Sequence, residues 1–313
     1  MLTRRHIRVK VMQSIYALSL SEQGGLQESE AFLRRSIGQT FTLYLLILGI
    51  FRELQQFAEA QLALGANKYL KDGPRRPDAS RLASNALFSV LASSERLAAE
   101  LKKRKLKQWY LNEEYIKILY HQILESPEYE AYCQESPGWA TDRDFALLVF
   151  REIIAPNDKI YDFLEDEGIT WVDDLPLVNT FILKRLGKMR EDAEEGFLFP
   201  ALMKNTEDMA FALELLQKTL LNSEALAGEI EGKTPNWDKD RIAEIDRILL
   251  KMGIAELLYF PSIPERVTIN EYLEIAKEYS TPKSSIFING ILDKLIREYK
   301  ASGRLKKMGR GLL

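Results

Sequence analysis

The sequence predicts an all-α protein, and three observations support this prediction. Stretches rich in Leu, Ala, Glu and Lys repeat apolar residues every three to four positions, Gly and Pro number only 17 and 11, and no segment of useful length alternates with a strand period. With 313 residues, of which 46% are hydrophobic and 28% charged, the chain is long enough for one large core or two ordinary ones. We therefore expect helices packed on helices throughout.

The N-terminal part is predicted to form two helices, the first over Arg4–Leu20. Its predicted core face consists of Ile7, Val11, Ile15 and Leu18. The second helix runs from about Gln27 towards Leu64 and contains the apolar run Phe41–Phe51. Because this run is far shorter than the ~20 residues of a membrane-spanning helix, we expect it to be buried in the protein.

The rest of the chain shows the same periodicity, interrupted by Pro/Gly segments. Further helices are predicted over Ser80–Trp109, Tyr115–Leu124, Asp142–Ile154, Asp158–Glu167, Leu177–Met189, Glu207–Glu231, Asp240–Tyr259, Thr268–Tyr279 and Ser284–Ser302. The predicted breaks are Lys71–Asp78, Ser126-Pro127, Ser136-Pro137-Gly138, Ala155-Pro156 and Gly232–Asp238.

The last helix contains Asn289-Gly290, a pair that usually marks a turn. Its predicted buried stripe consists of Ile288, Ile291, Leu292, Leu295 and Tyr299. Because this apolar period continues past Asn289-Gly290, the sequence predicts an unbroken helix, with Gly290 permitting close helix packing. Phe287 lies at the edge of the stripe, where burial and surface exposure are equally compatible with the pattern.

Charge is distributed unevenly along the chain, whose formal net charge is −3. Residues 1–21 carry +4 and no acid, the segment after Glu298 carries +5 and no acid, and the remainder sums to −12. The N-terminal cations are Arg4, Arg5, Arg8 and Lys10, and the C-terminal ones are Lys300, Arg304, Lys306, Lys307 and Arg310. Basic ends on an acidic body indicate a polyanion site, although solvated basic termini are also common.

The sequence contains no recognisable catalytic or metal-binding motif. Two distant histidines and the single Cys133 exclude a Cys/His metal site and an intrachain disulfide. Neither a phosphate-binding loop of the G-x-x-x-x-G-K-[ST] type nor a G-x-S-x-G nucleophile motif occurs. The carboxylate pairs Asp173-Asp174 and Glu194-Glu195 stand in polar segments that favour a solvated surface. We predict neither an enzyme nor a cofactor.

Five ordered blocks near the C-terminus resemble a known family. They are Ile254-Ala-Glu-Leu257, Ile263-Pro264, Val267-Thr-Ile-Asn-Glu271, Ile275-Ala-Lys277 and Phe287-Ile-Asn-Gly-Ile-Leu-Asp-Lys294. With this order and spacing, the segment resembles the NusB family of bacterial transcription antitermination factors. The N-terminal stretch Arg4–Glu22 is similar to the first helix of that family.

The resemblance implies a NusB-like bundle of two packed helical sub-bundles. Family members are roughly half as long as this chain. The additional length of this chain is larger than an ordinary loop insertion. We therefore predict that residues 1–44 and 205–313 form the NusB-like domain, the latter with a basic C-terminal tail. Residues 45–204 are predicted to be an inserted helical subdomain, for which the sequence indicates no role.

The resemblance also implies a function: binding of the single-stranded boxA element of leader RNA. It implies binding together with the ribosomal small-subunit protein NusE, and joining of the elongating RNA polymerase, which supports ribosomal RNA transcription. The RNA-binding residues it implies are Arg4, Arg5, Arg8, Lys10, Lys283 and Phe287, and the protein-partner residues are Tyr16 and Asp246. Guanidinium groups suit phosphates, and an aromatic ring suits an unstacked base. Each of these side chains also has an ordinary interpretation as a solvated helix end or a half-buried residue.

Several alternatives remain open at this stage. The chain could be the RNA-targeting domain of a ribosomal RNA cytosine methyltransferase, although only eighteen residues follow Leu295 and Cys133 lacks a Pro-Cys context. It could also be an interaction scaffold without RNA binding. The basic run Lys102–Lys107 either extends an RNA or polymerase surface or is an exposed helix end. A cytoplasmic location and no membrane contact are predicted, and homodimer formation stays open.

Overall fold

A computed structural model describes residues 1–21, 24–66, 78–231, 233 and 242–308. The α-helices are α1 (Arg4–Ser19), α2 (Leu26–Ala66), α3 (Ser80–Ala83), α4 (Ala86–Ser93), α5 (Glu95–Lys103), α6 (Gln108–Leu111), α7 (Glu113–Leu124), α8 (Pro127–Gln134), α9 (Trp139–Val149), α10 (Asp158–Glu167), α11 (Leu175–Leu186), α12 (Glu207–Leu221), α13 (Ser223–Ile230), α14 (Glu244–Tyr259), α15 (Glu265–Tyr279) and α16 (Ser284–Ala301). A π-helical turn, Phe150–Ile154, continues α9, and two short 3₁₀ turns complete the set. Within the described residues the only β-type pairing is an isolated bridge between Leu2 and Met203, so the all-α prediction is confirmed.

The chain divides into two compact units. Unit 1 comprises Met1–Ile37 and Ala201–Leu313, and unit 2 comprises Gly38–Pro200. The boundaries therefore lie at 37/38 and 200/201, whereas the sequence placed them at 44/45 and 204/205. The first boundary falls inside α2 and coincides with Gly38, but a lone glycine within a continuous apolar pattern does not predict a break.

Unit 1 is built on α14, α15 and α16, with α1 and α12 packed against them. The predicted stripe of α16 is buried as a whole, and so are Ile7, Val11 and Ile15 of α1. Leu18, the fourth predicted core residue of α1, is half-buried because the helix ends one residue after it. Burial of each such side chain contributes about 1.5–3 kcal/mol.

Helix α16 continues through Asn289-Gly290, as predicted. The predicted role of Gly290 in close helix packing is wrong, because a Cβ atom added there would meet nothing within 4 Å. Close packing occurs instead at Gly253 of α14, where a Cβ atom would lie 3.3 Å from Leu292 and 3.5 Å from Tyr272. The glycine that allows close helix packing in unit 1 therefore lies on α14 and not on α16.

Unit 2 has its core around α2. The apolar run Phe41–Phe51 is almost wholly buried, which confirms the expectation of a core helix. The Phe51 ring stacks against Phe150 and meets Phe88 edge-on, with centroids 5.7 and 5.2 Å apart. Among the described helices one, Leu26–Leu64, is long and apolar enough to cross a membrane by composition, and 72% of its apolar window is buried in the protein.

Several predicted boundaries in unit 2 were wrong, for reasons of capping. The single helix predicted over Ser80–Trp109 is four helices, α3 to α6. Asn85 caps α4 by accepting hydrogen bonds from the backbone of Leu87 and Phe88, and Ser94 caps α5 through Leu97. Polar caps restart a helix without interrupting the apolar pattern on either side, so the periodicity alone does not reveal them.

The predicted break at Ser126-Pro127 is a helix start. Ser126 accepts a hydrogen bond from the backbone of Tyr129, and Pro127 occupies the first helical position of α8, where its missing N–H costs nothing. Glu207–Glu231 is two helices, α12 and α13, that meet at Asn222. The predicted breaks at 71–77 and at 232 and 234–238 lie outside the described residues.

Candidate nucleic-acid interface

An open groove of about 600 Å³ lies at the start of α1 in unit 1, and we call it the α1 groove. It is lined by Thr3, Arg4, Arg5, His6, Arg8, Ser262, Ile263, Pro264, Val267 and Glu271. One wall is the first turns of α1, and the other is the loop between α14 and α15 with the first turns of α15. The groove thus brings the arginines at the start of α1 to a single concave surface.

The first turn of α1 is closed by Thr3 and His6. The backbone N–H of Thr3 donates to Nδ1 of His6 over 3.1 Å, so Nδ1 is an acceptor and the ring proton of the neutral imidazole lies on Nε2. Burial, followed by the charge of Arg5, lowers the pKa of His6. A neutral His6 at the helix start avoids adding a third positive charge beside Arg4 and Arg5 at neutral pH.

Arg5 is half-exposed in the groove and anchored by one carboxylate. Its Nε and Nη2 donate to the two oxygens of Glu271 over 3.1 and 3.0 Å, and 41% of the side chain is exposed. Hydrogen bonding to Glu271 raises the pKa of Arg5. Two of the five N–H donors of the guanidinium are thereby used, and the fork is held in a fixed orientation.

Arg4 has a similar arrangement on the neighbouring side of α1. Its Nε donates to Oδ1 of Asp208 over 3.2 Å, and its guanidinium lies 4.9 Å from the ring centroid of Phe211. The other carboxylate oxygen of Asp208 accepts the backbone N–H of Asn205 at the start of α12. Asp208 is buried whereas Arg4 is 41% exposed, so the cation is the member of the pair that faces solvent.

Arg8 is a core residue, unlike Arg4 and Arg5. It donates from Nε and Nη2 to both oxygens of Glu256 over 2.7 and 2.8 Å, and its side chain is only 2% exposed. The same carboxylate accepts the hydroxyls of Thr268 (2.8 Å) and Tyr272 (3.3 Å). Burial opposes the charge on Arg8, but hydrogen bonding to Glu256 and its negative charge outweigh burial and raise the Arg8 pKa. Arg8 thus reaches the groove wall from inside the bundle.

Lys10 is also buried, with 2% of the residue exposed. It lies between Val9 and Val11 in the most buried part of α1. The positive charge predicted for the first 21 residues is therefore distributed between two half-exposed arginines and two buried cations. Only Arg4 and Arg5 of this set present a guanidinium at the surface.

The basic C-terminus is likewise tied to the fold. Arg304 donates to Glu229 over 2.7 Å, and Nζ of Lys307 donates to the carbonyl oxygens of Glu256 and Phe260 at the end of α14. Burial lowers the pKa of Lys307 to about 8. Lys307 thereby places a cation at the C-terminal end of α14, where the helix dipole favours it, whereas Arg304 ties the C-terminal segment to α13. Arg310 lies outside the described residues.

Lys283 and Phe287 lie away from the α1 groove. Lys283 is exposed directly before α16, and Phe287 is half-buried one turn into that helix. The start of α16 is fixed at Asp246 through Ser284, whereas Arg8 is bound at Glu256. These two anchors are ten residues apart on α14, about 15 Å along its axis. Phe287 is not among the residues that line the groove, and its contact with RNA stays a prediction.

The two predicted protein-partner residues have different environments. Tyr16, on α1, is 37% exposed. Asp246 is buried, with its two carboxylate oxygens accepting the hydroxyls of Ser280 and Ser284 over 2.6 and 2.7 Å. Asp246 therefore fastens the α15–α16 turn to the start of α14, and a charge reversal there would disturb the fold as well as any interface.

The carboxylate partners of the arginines were not identified from the sequence. Glu256 and Glu271 both lie within the family-like blocks; Glu256 binds Arg8, and Glu271 binds Arg5 and lies 3.6 Å from Arg8. A signal for Glu256 exists, because it is a charged residue inside the apolar run of α14, where burial demands a partner. For Asp208 no such signal exists, since an acid in the first turn of a helix is ordinary.

Comparison with known proteins adds an independent finding. The NusB family model matches residues 179–297. The transcription antitermination protein NusB of Salinibacter ruber is 46% identical over 103 residues, which are 33% of this chain and 64% of that protein. NusB of Chloroherpeton thalassium is 44% identical over 103 residues, which are 33% of this chain and 49% of that protein. NusB of Geotalea daltonii is 41% identical over 119 residues, which are 38% of this chain and 79% of that protein. No solved structure gave a significant match.

The matched segment includes α12 to α15, most of α16 and both glutamates that hold Arg5 and Arg8. The chain spans less than two thirds of the length of the first two relatives. The family model does not include Arg4–Glu22, whose resemblance to the first family helix stays a prediction. The relative from Geotalea daltonii is covered over 79% of its length at 41% identity. On that likeness, together with the match of the family model, the chain belongs to the NusB family.

Proposed function

We propose that this protein is an RNA-binding transcription antitermination factor without catalytic activity. It binds boxA-type single-stranded leader RNA together with ribosomal protein NusE, joins the elongating RNA polymerase and acts in the cytoplasm. The observation that supports this proposal best is the pair of half-exposed guanidinium groups, Arg4 and Arg5, at the rim of the open α1 groove. Membership of the NusB family supplies the class of activity.

The geometry around Arg4 and Arg5 suits phosphate binding. A carboxylate orients each guanidinium, Asp208 for Arg4 and Glu271 for Arg5. Each guanidinium keeps further N–H groups that can donate hydrogen bonds to the oxygens of an incoming phosphate. Pre-orientation lowers the entropy lost when a long side chain is fixed on binding. The start of a helix adds a favourable potential for an anion at the same place.

The carboxylates also limit the affinity of this site. Arg4 and Arg5 are paired with acids before RNA arrives, so a phosphate competes with Asp208 and Glu271 for the same charge. Binding by the free protein is then expected to be weak and strongly dependent on salt. A second protein that contributes further contacts, as NusE does in the proposed complex, raises the affinity by adding surface.

Among the predicted partner residues, Tyr16 is the one available for such a contact. Its ring is partly exposed on α1, whereas Asp246 is engaged inside unit 1. Lys283, which is predicted to bind RNA and not the protein partner, is also exposed on unit 1. We propose that Tyr16 forms part of the protein interface, and that unit 2 is the helical subdomain inserted into the family fold.

The first prediction tests Arg5. Replacing Arg5 by Gln removes the charge and leaves the groove open, and we expect boxA-type RNA to bind about fivefold or more weakly, that is by ~1 kcal/mol or more. The slope of log Kd against the logarithm of salt concentration is expected to fall by about 0.7, because one phosphate contact is lost. Fluorescence anisotropy of labelled RNA, with and without NusE, measures both quantities.

Arg34 provides the matched control for this measurement. It is an exposed arginine on α2 in unit 1 that does not line the groove, and Arg34→Gln is expected to leave both affinity and salt dependence unchanged. Equal salt slopes for Arg5→Gln and the parent would remove Arg5 from the RNA site. A parent protein that shows no salt-sensitive RNA binding, alone or with NusE, would overturn the proposed function.

A further inference from the structure

Unit 2 carries a second cationic surface, which we call the basic patch. It consists of Lys102, Lys103, Lys105, Lys107 and Tyr110, at the end of α5, in the segment that follows and in α6. All four lysines are exposed, and the ring of Tyr110 is 77% exposed. The patch is bounded by Glu113 and Glu114 in the first turn of α7.

The patch is held in place by the residues that alternate with it. Arg104 donates to the hydroxyl of Thr42 over 3.0 Å and lies 5.2 Å from the ring centroid of Phe41. Trp109 is buried, and its Nε1 donates to the carbonyl oxygen of Leu46 over 2.7 Å. Because these two side chains fix the backbone on α2, the lysines and Tyr110 are directed outward on a rigid base.

One lysine of the patch adopts a conformation that a lysine rarely adopts. Lys105 has φ of +58°, the left-handed region, which a glycine usually occupies after a helix. The backbone N–H of Leu106 donates to the carbonyl of Leu101, and that of Lys105 to Lys102, which closes α5 in the manner of a Schellman motif. A side chain at this position strains the backbone, and such strain concentrates at functional positions.

The amount of charge exceeds what the helix end requires. Within the described residues, none of the four lysines forms an ion pair, whereas Arg104 pairs with Glu100 over 3.4 Å. Lysines in the last turn of a helix are favoured by its dipole, which accounts for Lys102 and Lys103. Lys105 and Lys107 lie beyond the helix, where that explanation does not apply.

We propose that the basic patch is a second contact for single-stranded RNA. Its lysines bind phosphates, and the exposed ring of Tyr110 stacks on an unpaired base. Charge complementarity and an aromatic face are the two components of sequence-tolerant recognition of single strands. The inference deepens the proposed function, on which it rests, by giving unit 2 a role in holding the same class of ligand.

The exposed aromatic ring favours a single strand over a duplex or an acidic protein. A duplex presents its phosphates but keeps its base faces stacked, so it would use the lysines and leave Tyr110 without a partner. An acidic protein surface would likewise use the charges without requiring a base to stack on. The test therefore separates the contribution of the lysines from that of the ring.

The experiment measures binding of a labelled single-stranded 12-mer oligouridylate, and of a duplex of equal length, to the full chain at several salt concentrations. In one variant Lys102, Lys103, Lys105 and Lys107 are all replaced by Gln. Its control replaces Lys117, Lys159, Lys184 and Lys188, four exposed lysines elsewhere in unit 2. We expect the patch variant to bind at least fivefold more weakly, with its salt slope reduced by up to about 2.8, and the control to bind as the parent does.

Two further variants separate stacking and strain from charge. Tyr110→Ala is expected to weaken single-strand binding about fivefold or more at an unchanged salt slope, whereas Tyr161→Ala, at a 40% exposed tyrosine, leaves it unchanged. Lys105→Gly relieves the left-handed backbone, so we expect Tm to rise by roughly 1–3 °C while RNA affinity falls. Circular dichroism confirms that every variant is folded.

The outcomes distinguish the two levels of the proposal. If the parent binds neither boxA-type RNA, alone or with NusE, nor the oligouridylate, the proposed function fails and the patch inference fails with it. If the parent binds and Arg5→Gln weakens it, but the patch variant equals its control, the function stands and the patch inference is overturned. Equal loss on the duplex and the single strand, with no effect of Tyr110→Ala, also overturns it.

Discussion

At the scale of single residues, the start of α1 shows how one residue type serves two purposes. Arg4, Arg5 and Arg8 lie within five positions of one another, and each is bound to a carboxylate of another helix. Arg8 points into the bundle and is buried, whereas the other two keep 41% of their side chains exposed. Burial, not charge, therefore separates the structural arginine from the candidate RNA-binding ones.

The second prediction concerns the buried pair of Arg8 and Glu256. Replacing Glu256 by Gln leaves the buried charge of Arg8 largely uncompensated, since only Glu271 remains, 3.6 Å from its Nη1. We expect the free energy of unfolding to fall by about 3–5 kcal/mol. Adding Arg8→Met to that variant removes the uncompensated charge and is expected to restore part of the loss. Urea unfolding of the two single variants and the double variant measures the coupling energy.

Arg5→Gln is the control for this series, because it breaks a partly exposed ion pair on the same helix. We expect it to lower the free energy of unfolding by at most about 1 kcal/mol. If Glu256→Gln is no more destabilising than Arg5→Gln, or if the effects of the two core substitutions simply add, the buried pair is not the anchor of α1.

At the scale of elements, α16 shows that a turn-forming dipeptide does not break a helix when packing continues on both sides. Ile288 and Ile291 flank Asn289-Gly290 and are both buried against the bundle. The burial of these side chains offsets the roughly 1 kcal/mol by which a glycine weakens a helix interior. Tertiary contacts thus override a local preference.

The third prediction follows from the open space at Gly290. Gly290→Ala adds a methyl group that meets nothing within 4 Å, so we expect α16 to gain about 0.5–1 kcal/mol of stability from reduced backbone freedom. Thermal unfolding measures the gain. Gly253→Ala is the matched control, because its Cβ atom would press on Leu292 and the gain would be lost. A destabilising Gly290→Ala would show that the position has a role other than helix formation.

At the scale of the whole molecule, the chain consists of one unit built from two segments, the second of which contains most of the family match, and a second helical unit between those segments. In unit 1, α1 packs on α12, α14 and α15, which follow it by about 200 residues or more in the sequence. Hydrogen bonds from Met1 and Leu2 to Ala201 and Leu202 join the two segments of the unit. Unit 1 therefore has the contacts expected of an independent core.

The fourth prediction is that unit 1 folds without unit 2. A chain in which Gly/Ser linkers of graded length replace residues 38–200 is expected to be helical by circular dichroism and to unfold cooperatively. We also expect this chain to bind RNA in a manner that depends on Arg5. Lack of a cooperative transition at every linker length would contradict the division into two units.

The sequence was sufficient for the helices with long apolar stripes and insufficient for the side chains of the site. Periodicity predicts α1 and α16 within about one residue of their ends, because both are amphipathic over four or more turns. It fails over residues 80–109, where Asn85 and Ser94 restart helices between apolar segments. The α1 groove itself could not be predicted, since it depends on which loop faces the start of α1.

By itself the sequence determined the all-α class, the continuity of α16 through Asn289-Gly290 and the likeness to the NusB family. These follow from patterns that are local in the chain, in which one residue and its neighbours three or four positions away suffice. Only the tertiary structure decided that Arg8 is buried, that Arg4 and Arg5 reach the surface and that Gly253 brings the helices together. The physical reason is that Arg8 meets Glu256 across 248 positions of sequence, and such a pairing is set by how helices pack.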